Sequence, residues 1–231
     1  MSRSEYRAHP FWTRRRWLRG AALAAASGQA SGALSRAEGD GYGTLSALTF
    51  NILAGGTRRG PLQRCVDLIR SSGADIIGLQ EVGGSGPELA EATGFYRFER
   101  GSKQILSRYP IITVSPGRRG VKIDVPDLGE IWFFNIHFRP APYQPYQLMG
   151  IPYGRGRFIE TADEAVAEAL RARGDQVDGL IRDMEPALSS GLPILLSGDF
   201  NEPSHLDWSE RAADEGCCKL PVRWPASERV T

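Results

Sequence analysis

The chain has 231 residues, 41% hydrophobic and 24% charged, and a formal net charge of +1. That composition excludes a disordered or fibrous chain and suits one mixed domain with a tail. No stretch approaches the roughly 20 apolar residues of a membrane-spanning helix. The three cysteines, Cys65, Cys217 and Cys218, form neither a disulfide framework nor a zinc-site spacing.

Charge is uneven along the chain. Residues 1–37 hold seven arginines and one acid, Glu5, which leaves 21 basic and 26 acidic residues beyond them. An acidic remainder disfavours a life of non-specific nucleic-acid binding, which relies on neutralising phosphates. Thr13-Arg14-Arg15-Arg16-Trp17-Leu18-Arg19 precedes an Ala- and Gly-rich apolar segment and small residues near Ala33 and Ala37. This resembles a twin-arginine export signal. Residues 1–37 are therefore read as an address, with a periplasmic or extracellular destination, and are set aside from the fold.

In chain order, Leu45 to Leu53 reads as a strand broken by Gly55-Gly56. Leu62 to Arg70 has helical spacing, with Cys65 a buried thiol and Gly73 placed to end the helix. Ala74 to Val82 is a buried strand with polar residues at its end, and residues 83–87 form a loop. Ser102–Ser107, the region of Val114, and Gly120–Val125 read as strands. A turn at 127–129 leads into Glu130–Phe138 and then a Pro- and Tyr-rich loop to about Gly156. Ala162–Leu188 is mostly helical, with Val166, Leu170, Val177, Leu180, Ile181, Met184 and Leu188 on a core face and Gly174 a candidate kink. Leu192–Asp199 is the last clear strand. A short helix is expected between Leu206 and Gly216. Many adjacent strands with a few helices argue for a layered α/β fold of two sheets.

Polar residues gather where strands end: Asn51, Glu81, the Asn135/His137 pair and the Asp199/Asn201 pair. Residues two apart on a strand share a face. Hard divalent cations favour such oxygen ligands, and Mg²⁺ typically takes one or two carboxylates while keeping water. Phosphate-ester hydrolysis needs charge neutralisation, an oriented water, a base and donors to the phosphoryl oxygens. A carboxylate, a histidine and two amides could serve those roles. Tyr143, Tyr146 and Tyr153 offer either a substrate wall or a loop folded on its own rings.

Leu48-Thr49-Phe50-Asn51-Ile52, Ile77-Gly78-Leu79-Gln80-Glu81-Val82, Ile105 to Ile111, Asn135-Ile136-His137-Phe138 and Ser197-Gly198-Asp199-Phe200-Asn201-Glu202-Pro203 together resemble five ordered motifs of the endonuclease/exonuclease/phosphatase superfamily, the deoxyribonuclease-I-like metallophosphoesterases. The resemblance implies a four-layer α/β/β/α sandwich, two packed mixed sheets flanked by helices, over residues 44–231. It implies Glu81 as main metal ligand with Asn51 assisting at the same ion or its water, and Mg²⁺ as cofactor with Mn²⁺ an alternative. Asp199 would orient or deprotonate the attacking water, Asn201 would donate to the phosphate, and His137 would contact a phosphate oxygen. Glu202 is either a supporting group or a solvated one, and His205 reads as a loop residue.

The resemblance also calls for a Ser-Asp-His motif after one or two further strands, and no Asp-His pair follows Asp199. The domain is read as C-terminally incomplete, with little turnover expected from the chain alone. The reading is Mg²⁺-dependent hydrolysis of a phosphate ester, diester or monoester, of unknown identity. The alternatives are an impaired fragment or binding module, and a DNA-acting nuclease, which the acidic balance disfavours.

Overall fold

The computed structural model describes residues 44–231, Arg59 excepted; residues 1–37, read above as an export signal, lie outside the described residues. Eight strands form two four-stranded mixed sheets. In the first, β1 (Ala47–Asn51) runs parallel to β2 (Ile76–Gln80). The hairpin of β3 (Tyr96–Arg100) and β4 (Lys103–Ser107) completes the order β1-β2-β4-β3. The second sheet is β5 (Ile111–Val114), β6 (Gly120–Val125), β7 (Gly129–His137) and β8 (Ile194–Asp199), in that order, with only β7 and β8 parallel.

Alternation along the strands explains the layers. Ile77 and Leu79 of β2, with Leu106 of β4, bury one face against α1 (Gln63–Ser72) and α2 (Gly86–Thr93), packing on Val66, Ile69 and Leu89. Ile76 and Ile105 point the other way and meet Val121, Ile123, Ile131 and Phe133 of the second sheet. The outer face of that sheet, Trp132, Phe134, Ile136 and Phe138, packs on Val177, Leu180 and Met184 of the long helix α4 (Ala162–Ser189), which follows the short α3 (Gln144–Leu148). This is the α/β/β/α sandwich that the motifs implied. Burying any one of these large side chains stabilises the fold by about 1.5–3 kcal/mol.

Local rules set the helix ends. Gly73 (φ 65) closes α1 in the left-handed region. Thr161 and Glu164 form a reciprocal capping box at the start of α4, which runs unbroken through Gly174.

Several expectations are corrected. The loop at 83–87 turns into α2, and Tyr96–Arg100 is an edge strand. On α4, Leu170 and Leu188 are exposed, whereas Arg173 and Asp183 are buried. Arg173 is buried because Glu202 meets its guanidinium at 3.1 Å. Asp183 is buried because Ser115 Oγ and the amides of Gly117 and Arg119 all donate to it. The thinly patterned tail contributes α5 (Glu210–Asp214) and α6 (Pro225–Glu228), with Trp224 fully buried against Trp208. Among the described residues, no helix is long and apolar enough to cross a membrane.

Candidate active site

Every strand that carries a singled-out residue ends at the same rim of the sandwich. β1 and β2 are parallel, so Asn51 lies opposite Gln80, one residue before Glu81. β7 and β8 are parallel, with His137 directly opposite Asp199. The two sheets face each other, and their strand ends bring these four side chains together.

Asn51 stands at the centre. Its Nδ2 donates to Glu81 Oε1 and to Asp199 Oδ2, each at 3.0 Å, and so links a carboxylate from each sheet. Its Oδ1 accepts from the Leu53 amide at 3.0 Å. His137 Nε2 lies 3.8 Å from Asp199 Oδ2 and 4.0 Å from Glu81 Oε1. The chain pays for this convergence in backbone strain. Leu53, Ala54, Glu81 and Asn201 all have positive φ, a conformation that costs non-glycine residues about 1–3 kcal/mol each and clusters at functional sites. The turn at 53–56 returns the Ala54 amide to Glu81 Oε2 at 3.2 Å and the Gly55 amide to the Glu81 carbonyl at 2.7 Å.

Asp199 is fixed from the other side. The Asn201 amide donates to Asp199 Oδ1 at 3.0 Å, and Asn201 Nδ2 donates to the Phe138 carbonyl at 2.9 Å. One of the two Asn201 side-chain N–H groups is thus committed to the backbone. Gly198 (φ 142) precedes Asp199 because a β-carbon there would meet the Ile136 carbonyl at 2.2 Å.

Beneath the rim lies an amide layer. Gln80 Nε2 donates to Asn135 Oδ1 at 2.7 Å, and Asn135 Nδ2 donates to the carbonyls of Leu79 and Gln104. Both side chains are buried, so Asn135 joins the sheets and does not face a substrate. Gly78 makes room for it, since a β-carbon there would sit 2.3 Å from Ser197 Oγ and 2.8 Å from Asn135 Oδ1. Glu202 is not solvated. It pairs with Arg173, and its other oxygen accepts from the Ala226 amide at 2.7 Å. Arg173 also donates to the carbonyls of Arg139 and Pro142 and to Gln144, which anchors the loop after β7. His205 contacts Ser227 Oγ through its amide and its ring.

The anchored loop carries the tyrosines. Tyr143 and Tyr146 meet edge-to-face at 5.0 Å, and Tyr146 meets Tyr153 at 5.7 Å. The rings therefore pack on one another, and Tyr143 is largely withdrawn from solvent. Its phenol is held above the ordinary value mainly by burial, with Tyr146, Asp199 and Glu202 adding to the shift and Arg173 opposing it.

The sequence reading missed the Gln80–Asn135 pair and the Arg173–Glu202 pair. Their partners lie 55 and 29 residues apart, beyond any local pattern. The adjacency of Glu202 to the Asp199/Asn201 pair was the one available signal.

A layered sandwich with an oxygen-rich centre at its strand tips defines the class. The chain belongs to the endonuclease/exonuclease/phosphatase family, whose model matches residues 48–227. Members of that family are generally hydrolases of phosphate esters or nucleic acids and generally use divalent metal ions. An uncharacterised protein of Caenorhabditis elegans is 27% identical over 205 residues, 80% of this chain and 62% of that protein. An endonuclease/exonuclease/phosphatase from Beutenbergia cavernae superposes with a TM-score of 0.42 at 19% identity, over 68% of this chain and 47% of that one. TDP2 from C. elegans superposes with a TM-score of 0.43 at 16% identity, over 69% and 48%. The chain thus spans less than two thirds of the curated relative and about half of these solved structures.

Proposed function

We propose that this chain is a Mg²⁺-assisted phosphoesterase, with Mn²⁺ an alternative ion, acting through Asn51, Glu81, His137, Asp199 and Asn201. The observation that carries the reading is the position of the Asn51 amide, whose N–H groups lie between two carboxylates from different sheets. Such a donor stands in for positive charge, so the residues fit a cation there.

Among the described residues, no group of three or more His, Cys, Asp or Glu side chains is arranged to hold a metal ion by itself. Mg²⁺ keeps several waters and takes one or two carboxylates, and Glu81 beside the Asn51 amide offers that donor set. Glu81 would hold the ion, and Asn51 would assist once its amide gives up its present partners. The ion would supply charge neutralisation at the phosphate oxygens.

The chain's own residues do the rest. Asp199, held by the Asn201 amide, orients the attacking water and accepts its proton at Oδ2. His137 stands within 4.0 Å of both carboxylates and donates to a phosphoryl oxygen. The second side-chain N–H of Asn201 donates to another.

The test is hydrolysis of bis(p-nitrophenyl) phosphate with and without Mg²⁺. The expected result is metal-dependent release of p-nitrophenol, however slow, that Asp199→Asn abolishes. Release that persists in EDTA, or that Asp199→Asn leaves intact, overturns the mechanism.

A further inference from the structure

The rim that holds the carboxylates continues past β2 and β7 into a cationic half. β4 runs antiparallel to β2, so Lys103 starts where Glu81 follows β2; the Val82 amide bonds the Ser102 carbonyl at 2.9 Å. Arg100 is the direct cross-strand partner of Lys103 in the β3–β4 hairpin. Like charges directly opposite on a strand pair are destabilising. On the facing sheet the Asn135 amide bonds the Arg119 carbonyl at 2.9 Å, which puts Arg118 and Arg119 at the same rim. Arg118 has positive φ, and its guanidinium lies 5.1 Å over the Phe98 ring of β3, bridging the sheets. Arg100, Lys103, Arg118 and Arg119 line one narrow hollow that ends on Asn135, the residue bonded to Gln80 next to Glu81.

Acidic compensation is small. Arg119 is 3.8 Å from Asp183, and that carboxylate is already met by Ser115 and the Gly117 and Arg119 amides. Arg100, Lys103 and Arg118 form no ion pair or side-chain hydrogen bond within the described residues. Burial, then the nearby Arg100 and Arg119, push the Lys103 ammonium below its ordinary value. Burial and Arg100 do the same to Arg119, with Asp183 opposing and Arg182 adding. Like charges gathered at one rim lose this mutual penalty when an anion lies among them.

We propose that Arg100, Lys103 and Arg118 form a second phosphate-binding subsite beside the carboxylate centre, so that the substrate carries a further phosphate next to the scissile one. The inference deepens the phosphoesterase reading and rests on it for the identity of the anion. The hollow itself has room for about one water, so the phosphate sits at its mouth. The overall acidic balance of the described domain does not oppose this, because the positive charge is local.

The test is calorimetric titration of the full chain with inorganic pyrophosphate in EDTA, at low and high salt. Saturable binding that weakens with salt is expected, and Arg100→Gln/Lys103→Gln should weaken it at least about tenfold. Arg118→Gln, the second variant, should weaken it severalfold. Glu81→Gln should leave pyrophosphate binding unchanged or tighter while losing the Mg²⁺ heat; the Arg100/Lys103 variant should keep the Mg²⁺ heat. The two readings therefore fail separately.

A 5′-phosphorylated trinucleotide and inositol 1,4,5-trisphosphate serve as competitors, and the tighter of the two identifies the source of the second phosphate. No pyrophosphate binding by the wild type, equal binding by the Arg100/Lys103 variant with its thermal midpoint retained, or loss of binding in Glu81→Gln overturns the proposal.

Discussion

Replacing Gly78 with alanine should loosen the candidate site from beneath. Gly78 lies in the centre of β2, fully between the sheets, and its backbone is ordinary extended strand, so the effect is steric. The new methyl would come within 2.3 Å of Ser197 Oγ and 2.8 Å of Asn135 Oδ1. Neither neighbour is a flexible tip with room to turn. Ser197 is bonded to the Phe134 carbonyl, and Asn135 holds Gln80, Leu79 and Gln104. Overpacking of this kind costs about 1–3 kcal/mol. Displacing Asn135 strands buried donors and acceptors for a further 1–3 kcal/mol or so. A loss of about 2–6 kcal/mol is a large part of the roughly 5–15 kcal/mol typical of a domain. It should lower the thermal midpoint by on the order of 10 °C. Urea unfolding followed by tryptophan fluorescence measures it, with Mg²⁺ calorimetry reporting whether the site shifts. A Gly78→Ala chain whose urea midpoint matches the wild type would refute the argument that Ser197 and Asn135 leave no room for a methyl at this position.

Other perturbations follow from the same geometry. Glu202→Ala leaves Arg173 buried without its carboxylate and should cost about 3–5 kcal/mol in urea unfolding, whereas Glu202→Gln, which keeps an acceptor for the guanidinium, should cost less. Tyr143 has a folded-state value raised above the ordinary 10.0, chiefly by burial. Stability tied to its neutral phenol is fully present below pH 10 and is lost as pH rises through the higher folded value. Tyr143→Phe should therefore flatten the fall in thermal midpoint above pH 10, and an unchanged alkaline limb would count against that burial.

The elements with strong periodicity were readable from residues alone. Ile76 to Gln80 and Ile131 to Phe138 are apolar on both faces because each sheet is covered by helices on one side and by the other sheet on the second. Asn51, Glu81, His137 and Asp199 stood out because they close otherwise apolar strands in one ordered set of motifs, and the structure brings them to one rim. Two kinds of feature stayed hidden. Tyr96–Arg100 mixes aromatic and charged residues as an exposed edge strand, so its alternation was masked. Arg173 and Asp183 look like surface charges on a helix until Glu202 and the Ser115–Arg119 loop, far off in sequence, are folded against them. Leu170 and Leu188 erred the opposite way, since a helix stripe shifted by one position leaves them in solvent.

The central claim is that Glu81, with Asn51 assisting, holds one cation at the rim where Asn51 links it to Asp199. Titrating the chain with Mg²⁺ in a calorimeter tests it most directly. One saturable site is expected in the wild type, weakened about 100-fold or beyond detection in Glu81→Gln and strongly weakened in Asp199→Asn. Equal Mg²⁺ isotherms for all three proteins, each folded to the same thermal midpoint, would contradict it.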